Sequence, residues 1–417
     1  MKAKVYPTSN IKKITLPPNQ RLLNLEIICA SLAKGNSIIK NVSFSDCTKQ
    51  TIKWCENFGA IIKKNRQSLY IKGVNNKVIL KTNIFDCESS FLTVHYLLPL
   101  LSLSNTNFVI KGKPEIIDSC DPFMYIFEKQ NAFYKKEKNF IKIEQSLKPG
   151  FIYIDGENNN NLIVGLFIAL PLLNLSSKLI IRAPIDAEKD LDNAIKILEK
   201  FGVVINKINK TTYEILPNQT YKGKKITTDS DYKFLTSLFI IGSLKGDIAV
   251  KGINKKSLQD DFRILDFLKK SGFSFNNGYI KHKPFYFNNI NAEIYNNFIP
   301  LLIVLAIVNN QKTTITNLDL MNPTRANQVN VMLKNLKKLQ IDYELNEDEL
   351  TINPKIIEKK EQLESNFDPL VVMALTTLAI VSKTPLIIKD CQCINFEYAD
   401  YFNILKQANV KIEFIHN

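Results

Sequence analysis

A unit of about seventy residues recurs six times along the 417-residue chain, and nothing else in the sequence restricts its fold as strongly. Apolar helical runs begin near Arg21, Phe91, Asn160, Tyr232, Tyr295 and Pro369, at intervals of 70, 69, 72, 63 and 74 residues. Each run passes through a polar break into a short strand-like segment: FVIKG at Phe108, LIIR at Leu179, IAVKG at Ile248, TTITN at Thr313 and LIIKD at Leu386. Most of these lead to a second helix with a similar tail, as in ILEKFGVVI, ILDFLKKSGF, MLKNLKKLQI and ILKQANVKI. A unit of this length is a supersecondary piece with its own sheet, too long for one solenoid turn. The alternation predicts an α/β fold of two similar lobes, each of three βαβαββ-like repeats. Helices this continuously apolar belong inside each lobe, with the sheets around them. The polar stretch from Lys207 to Lys225 is the natural joint, with three repeats on either side.

The first repeat sets the grammar. Lys4 to Leu16 reads as an edge strand, stopped by Pro17-Pro18 because proline gives no ladder hydrogen bond. Leu22, Leu23, Leu25, Ile27, Ile28 and Leu32 mark a buried helix entered at Asn19-Gln20 and interrupted by Asn24 and Glu26. A strand over Ile38 to Val42 follows, and Ser45 or Asp46 can cap a helix starting at Thr48. The second repeat opens its helix with Ser89 and Ser90. The third opens with Asn158 to Asn161, where exposed helix amides suit an anion and a plain polar loop fits equally well.

Composition narrows the function class. Hydrophobic content of 45% with 23% charged residues is ordinary for a soluble globular chain. No apolar run is long enough to span a bilayer, and MKAKVYPTSN lacks the apolar core of an export signal. Seven irregularly spaced cysteines point to a reducing, cytoplasmic setting without a disulfide framework. The net charge of +15 does not read as a nucleic-acid surface, because only five of the 55 basic residues are arginine and the lysines are scattered. Cys391 and Cys393 have no second ligand pair, so no metal site is expected, and no P-loop or dinucleotide fingerprint is present.

Several landmark residues fall in a known order. Asn41, Ser45, Asp46 and Thr48 lie in NVSFSDCT, Asp155-Gly156 precede the third helical run, Phe201 opens FGV, and Ser257, Gln259 and Asp261 lie in SLQDD. Together with the six-unit plan, these resemble the marks of the enolpyruvyl transferases, and within them the 5-enolpyruvylshikimate-3-phosphate synthases. NVSFSDCT is similar to N-x-S-x-S-D-D-T, SLQDD to S-x-Q-G-D, and LPPNQRLLN to L-P-x-S-K-S-x-S-N-R. The resemblance covers essentially the whole chain. It implies one lobe over residues 19–226 and another over 1–18 with 227–417, the chain crossing near Asn19 and Thr227. It implies transfer of the enolpyruvyl group of phosphoenolpyruvate to the 5-hydroxyl of shikimate 3-phosphate, on the way to chorismate and aromatic amino acids. Those two small molecules are then the partners, bound by a cytoplasmic monomer with no cofactor, no metal, no nucleic acid and no membrane.

Such chemistry needs cations for two phosphates and two carboxylates, a base for the hydroxyl and an acid for the methylene carbon. The resemblance puts the family's first-helix Lys on Gln20, beside Arg21, and a following Arg on Leu25, while Asn24 is kept. Its glycine-rich run falls on Glu88 to Leu92 and ends at His95 in place of Arg; its Arg-Pro falls on Asp121-Pro122. Its Ser-Ser-Gln falls on Asn159, Asn160 and Asn161, which with Gln20, Arg21, Asn24 and His95 are the substrate-binding candidates of that lobe. In the other lobe Thr324 and Gln328 are binding candidates, and Asn297 and Arg325 stand at the family's catalytic Asp and Glu. Asp368 is kept, followed by Pro369 and Leu370, and a late Lys falls on Phe396. An asparagine cannot take a proton, and Arg325 reverses the charge of a glutamate. Arg21 and Arg325 can supply relocated cations; each also fits the surface end of a helix, and the sequence leaves both open. A second function therefore stands beside transfer: a descendant that binds a metabolite or partner without turnover. A third, transfer to UDP-N-acetylglucosamine, is raised by Cys120, although that thiol directly precedes Asp121-Pro122 instead of standing several residues before it.

Overall fold

The structure is a computed structural model that describes residues 1–415 except 88, 89, 105, 183, 184, 186, 187, 255, 256, 258 and 320, and only the backbone of residue 260. Glu88 and Ser89, at the opening of the second repeat's helix, lie outside the described residues. The chain divides into two compact units, residues 1–17 with 230–417 and residues 18–229.

Within residues 18–229, three inner helices span Gln20–Leu32, Phe91–Leu101 and Asn160–Ala169. The other unit has Tyr232–Lys245, Ile299–Val308 and Pro369–Val381. All six are buried almost throughout, as their unbroken apolar runs require. Asn24 and Glu26 do not interrupt the first. Asn24 Nδ2 donates back to the Gln20 carbonyl at 2.7 Å, and the Thr228 hydroxyl donates to Glu26 Oε2 at 2.5 Å. The fifth begins at Ile299 instead of Tyr295, after a 3-10 turn over Asn296–Phe298. Ser45 caps the helix Asp46–Asn57 by accepting from the Thr48 amide at 3.1 Å.

Around these helices lie six four-stranded sheets among the described residues. In every one, an outer strand runs parallel to its neighbour and the other two pairings are antiparallel. The third repeat is complete in itself: Phe151–Asp155 pairs with Ser177–Arg182, which pairs with Thr212–Ile215, which pairs with Ile205–Lys207. Three sheets borrow a strand from far along the chain. Lys225–Thr227 completes the first repeat by pairing with Asn36–Lys40. The opening segment is not one edge strand, as Lys4 to Leu16 suggested. Lys2–Val5 is an interior strand between Leu386–Ile388 and Ile412–Ile415, and Ile14–Thr15 is a separate edge strand beside Ile248–Lys251. The buried Ala3 and Val5 hold the first of these strands in the core of its unit. The stretch 207–225 holds the strand Thr212–Ile215, and the chain leaves that unit after Asp229. No helix among the described residues is long and apolar enough to cross a membrane.

The second and third inner helices approach unusually closely. Pro99 has no N–H to offer the His95 carbonyl one turn earlier, and Gly165 packs against that oxygen, so a Cβ there would sit 2.1 Å from it. Gly165→Ala must push two fully packed helices apart. It is expected to cost about 1–3 kcal/mol, read as a lower urea midpoint at unchanged slope.

The buried acids give a pH dependence. Burial pushes the Glu26 carboxyl from its ordinary 4.5 up to about 7, outweighing the Thr228 hydroxyl that lowers it. Burial likewise raises Asp231 to about 6. Both groups hold their proton in the fold at pH values where the unfolded chain has lost it. Their contribution is full below the ordinary carboxylate range and is lost as pH rises through about 6–7. Glu26→Gln removes the larger part of this while leaving Asp231 in place. Between pH 5 and 8 the parent should lose about 2–3 kcal/mol more unfolding free energy than the variant, as measured by urea titration at both pH values.

Candidate active site

A helix buried on every side can offer polar groups only at its ends, and within residues 18–229 the candidates Gln20, Asn159 and Asn160 stand at the N-terminal ends of inner helices, with Asn24 and His95 one turn in. In residues 18–229 the first entry is built on Gln20. Its Oε1 accepts from the Ser45 hydroxyl at 2.8 Å and the Thr48 hydroxyl at 2.7 Å, while Nε2 donates to Ser43 Oγ at 2.6 Å. A neutral amide, buried and bonded on three sides, thus occupies the place for which the resemblance gives a lysine. Asn24 is fully buried, and its Oδ1 has no hydrogen-bond partner. Arg21 turns outward and pairs with Asp190 at 2.6 Å.

His95 lies on the second inner helix, buried, with Nε2 2.8 Å from Ser119 Oγ. The Ser119 hydroxyl itself donates to the Ile116 carbonyl, so it receives its bond from His95 and the imidazole carries its proton on Nε2. Burial pushes His95 down to about 4. It is therefore neutral near pH 7 and does not replace an arginine electrostatically. Asp121 binds Lys136, which Asp118 also binds, so the loop that could have offered a cation holds an internal ion cluster. Cys120 is buried, donates to the Ile116 carbonyl, and is pushed up to about 12 by burial; it presents no thiolate. At the third entry Asn159 Nδ2 donates to the Asp155 carbonyl, Asn160 Oδ1 is buried without a partner, and Asn161 is half-buried.

The other unit brings its candidates into one continuous chain. Arg325, on the first turn of the helix Pro323–Lys338, donates from Nη2 to Asn297 Oδ1 at 2.7 Å and from Nη1 to Gln328 Oε1 at 3.0 Å. Asn297 Nδ2 donates to Asp261 Oδ1 at 3.0 Å, and Gln328 Nε2 donates to Asp368 Oδ2 at 2.7 Å. A central guanidinium is thus flanked by two amides, each anchored on a carboxylate. These bonds also orient both amides, since each carbonyl faces a donor and each NH₂ an acceptor. Asp368 caps the last inner helix, accepting from the Leu370 and Val371 amides at 2.8 and 2.9 Å. Thr324 stands apart, exposed and outside this chain of bonds. Asp261 was visible in the sequence only as a mark of the scaffold. Its bond to Asn297 brings it into the site, and nothing in the spacing of SLQDD pointed there.

The chain of bonds in residues 230–417 can present a cation, oriented amides and a carboxylate; the helix entries of residues 18–229, taken by themselves, present neutral hydrogen-bonding groups. Comparison with known proteins gives these parts a context. The family model for EPSP synthase, 3-phosphoshikimate 1-carboxyvinyltransferase, matches residues 6–405. The 3-phosphoshikimate 1-carboxyvinyltransferase of Clostridium kluyveri is 27% identical over 416 residues, covering 98% of this chain and 97% of that protein. Its counterpart in Clostridioides difficile is 28% identical over 435 residues, covering 98% of each. Among solved structures, EPSP synthase from Acinetobacter baumannii superposes with a TM-score of 0.81 at 15% identity over 99% of both chains. The enolpyruvyl transferase NikO from Streptomyces tendae gives 0.76 at 13% identity, over 99% of this chain and 98% of that one. With the family's pattern matched from residue 6 to residue 405 and its fold repeated in both units, this chain belongs to the EPSP synthase family.

Proposed function

We propose that this chain transfers the enolpyruvyl group of phosphoenolpyruvate to the 5-hydroxyl of shikimate 3-phosphate, releasing phosphate, as a cytoplasmic monomer in the route to chorismate. The observation that carries this reading is the end-to-end match to 3-phosphoshikimate 1-carboxyvinyltransferases, which leaves no part of their length without a counterpart larger than a few per cent. The hydroxyl must lose a proton as its oxygen attacks C2 of the enolpyruvyl donor, and phosphate must leave from the same carbon. Arg325 offers the one guanidinium at the aligned motif positions of residues 230–417, fixed by two oriented amides. Asn24 Oδ1 and Asn160 Oδ1, buried acceptors without partners, suit the hydroxyls of a polyol better than its anionic groups.

A second reading, ligand binding without turnover, is favoured by a specific set of replacements. Gln20 is held in three bonds by Ser43, Ser45 and Thr48, His95 is neutral, and Asn297 has no proton-accepting lone pair of useful basicity. Loss of a cation that bonds an anion directly costs about 1.5–3 kcal/mol per bond.

Calorimetric titration with shikimate 3-phosphate and phosphoenolpyruvate, with phosphate release followed in parallel, separates the readings. The expected outcome is heat with shikimate 3-phosphate and phosphate release once both are present. Arg325→Ala should lower release by about tenfold or more, the equivalent of one charge-assisted bond. Heat without release would move the chain to the second reading. No heat with either compound, in protein that unfolds cooperatively, would remove both compounds as ligands.

A further inference from the structure

The bonded chain in residues 230–417 contains two carboxylates, and they are not equivalent. Asp368 uses Oδ1 for two helix amides and Oδ2 for Gln328, so its acceptor sites serve the scaffold. Asp261 uses Oδ1 for Asn297, and its Oδ2 receives no hydrogen bond from a described residue. It is half-buried, in the 3-10 turn Asp260–Arg263, within one hydrogen-bond length of the Asn297 amide. Asn297 stands between it and Arg325, so the carboxylate is not consumed in a direct ion pair with the guanidinium. The remaining members of the chain, two amides and a permanent cation, have no acid–base chemistry near neutral pH.

We propose that Asp261 is the general base of this chain, its Oδ2 accepting the proton of the attacking hydroxyl. This rests on the transfer reading above. In the step, the hydroxyl proton passes to Asp261 and the oxygen's electron pair forms the bond to C2 of the enolpyruvyl donor. The donor's methylene carbon takes a proton from water. That carbon then returns the proton to the hydroxide left behind, the C2–O bond to phosphate breaks with its electron pair, and phosphate leaves with the proton held by Asp261. Atoms and charge balance without a further reactant. Asn297, oriented by Arg325 on one side and Asp261 on the other, is a positioning residue.

The test compares the parent with Asp261→Asn and Asp261→Glu, following phosphate release and shikimate 3-phosphate heat in each. Asp261→Asn is expected to lower kcat about 10²–10⁴-fold with KM and binding heat unchanged. Asp261→Glu, which keeps the carboxylate on a longer stem, is expected to retain at least about a tenth of the parent rate. Asp261→Asn at the parent rate overturns the proposal. So does a Glu variant no faster than the Asn variant, or a loss of binding and turnover together in both, which marks a structural role. A parent that binds shikimate 3-phosphate without releasing phosphate overturns the proposal and leaves binding standing. A parent that binds neither compound overturns the transfer reading itself.

Discussion

The four residues Thr228 to Asp231 carry the constraint on which both units depend. Within residues 18–229, the Thr228 carbonyl accepts from Asn41 Nδ2 and its hydroxyl donates to Glu26, while Asp229 O accepts from the Asn19 amide. Within the other unit, the Ser230 carbonyl accepts from Gln259 Nε2, its hydroxyl donates to the Gly252 carbonyl, and the Asp231 amide donates to Pro17 O. Asp231 then caps the first inner helix of that unit through Phe234 N and takes the Tyr398 hydroxyl. Thr228, Ser230 and Asp231 are buried, so their peptide groups must be paired by protein, and each partner removed would leave an orphan costing about 1–3 kcal/mol.

This explains why the family was legible where the chemistry was not. Asn41, Ser45, Thr48, Ser257 and Gln259 carry the resemblance, and all of them bond backbone or caps around the ends of the inner helices. Replacing such a residue strands a partner that stays buried. A ligand-binding lysine or arginine strands nothing when it goes, provided its substitute finds partners of its own. Gln20 and Arg325 have done so, each bonded to neighbouring side chains.

The repeat period placed five of the six inner helices within a residue of where their apolar runs begin, because a helix buried all round has no polar face to blur its limits. It could not show that Lys2–Val5 sits between two strands nearly four hundred residues away, or that Lys225–Thr227 completes the first sheet. Strand partners of that kind are set by closure of the unit, and a local pattern carries no record of it. Asn24 and Glu26 count as interruptions in a periodic pattern for a related reason. Periodicity counts a polar residue against burial, whereas one bond to Gln20 O and one from Thr228 suffice to keep both inside. At the site, alignment placed Asn297, Arg325 and Gln328 individually; their union with Asp261 and Asp368 depends on side-chain directions across four segments.

The net charge of +15 has little hold on that site. Many lysines stand on exposed surface in pairs such as Lys49–Asp46, Lys281–Asp247 and Lys383–Glu358, worth little individually and screened by salt. Their surplus can draw anions toward the protein without choosing among them. Choice must come from groups fixed in direction, and in each unit those include amides: in residues 230–417, Asn297 and Gln328 held by a guanidinium and two carboxylates; in residues 18–229, Asn24 and Asn160 with acceptors facing no partner. Groups of this kind discriminate by hydrogen-bond pattern more than by charge. For a ligand whose recognition depends on its hydroxyls that loss is tolerable; for one that is chiefly phosphate and carboxylate it is not, so the acceptor substrate should be held better than the enolpyruvyl donor.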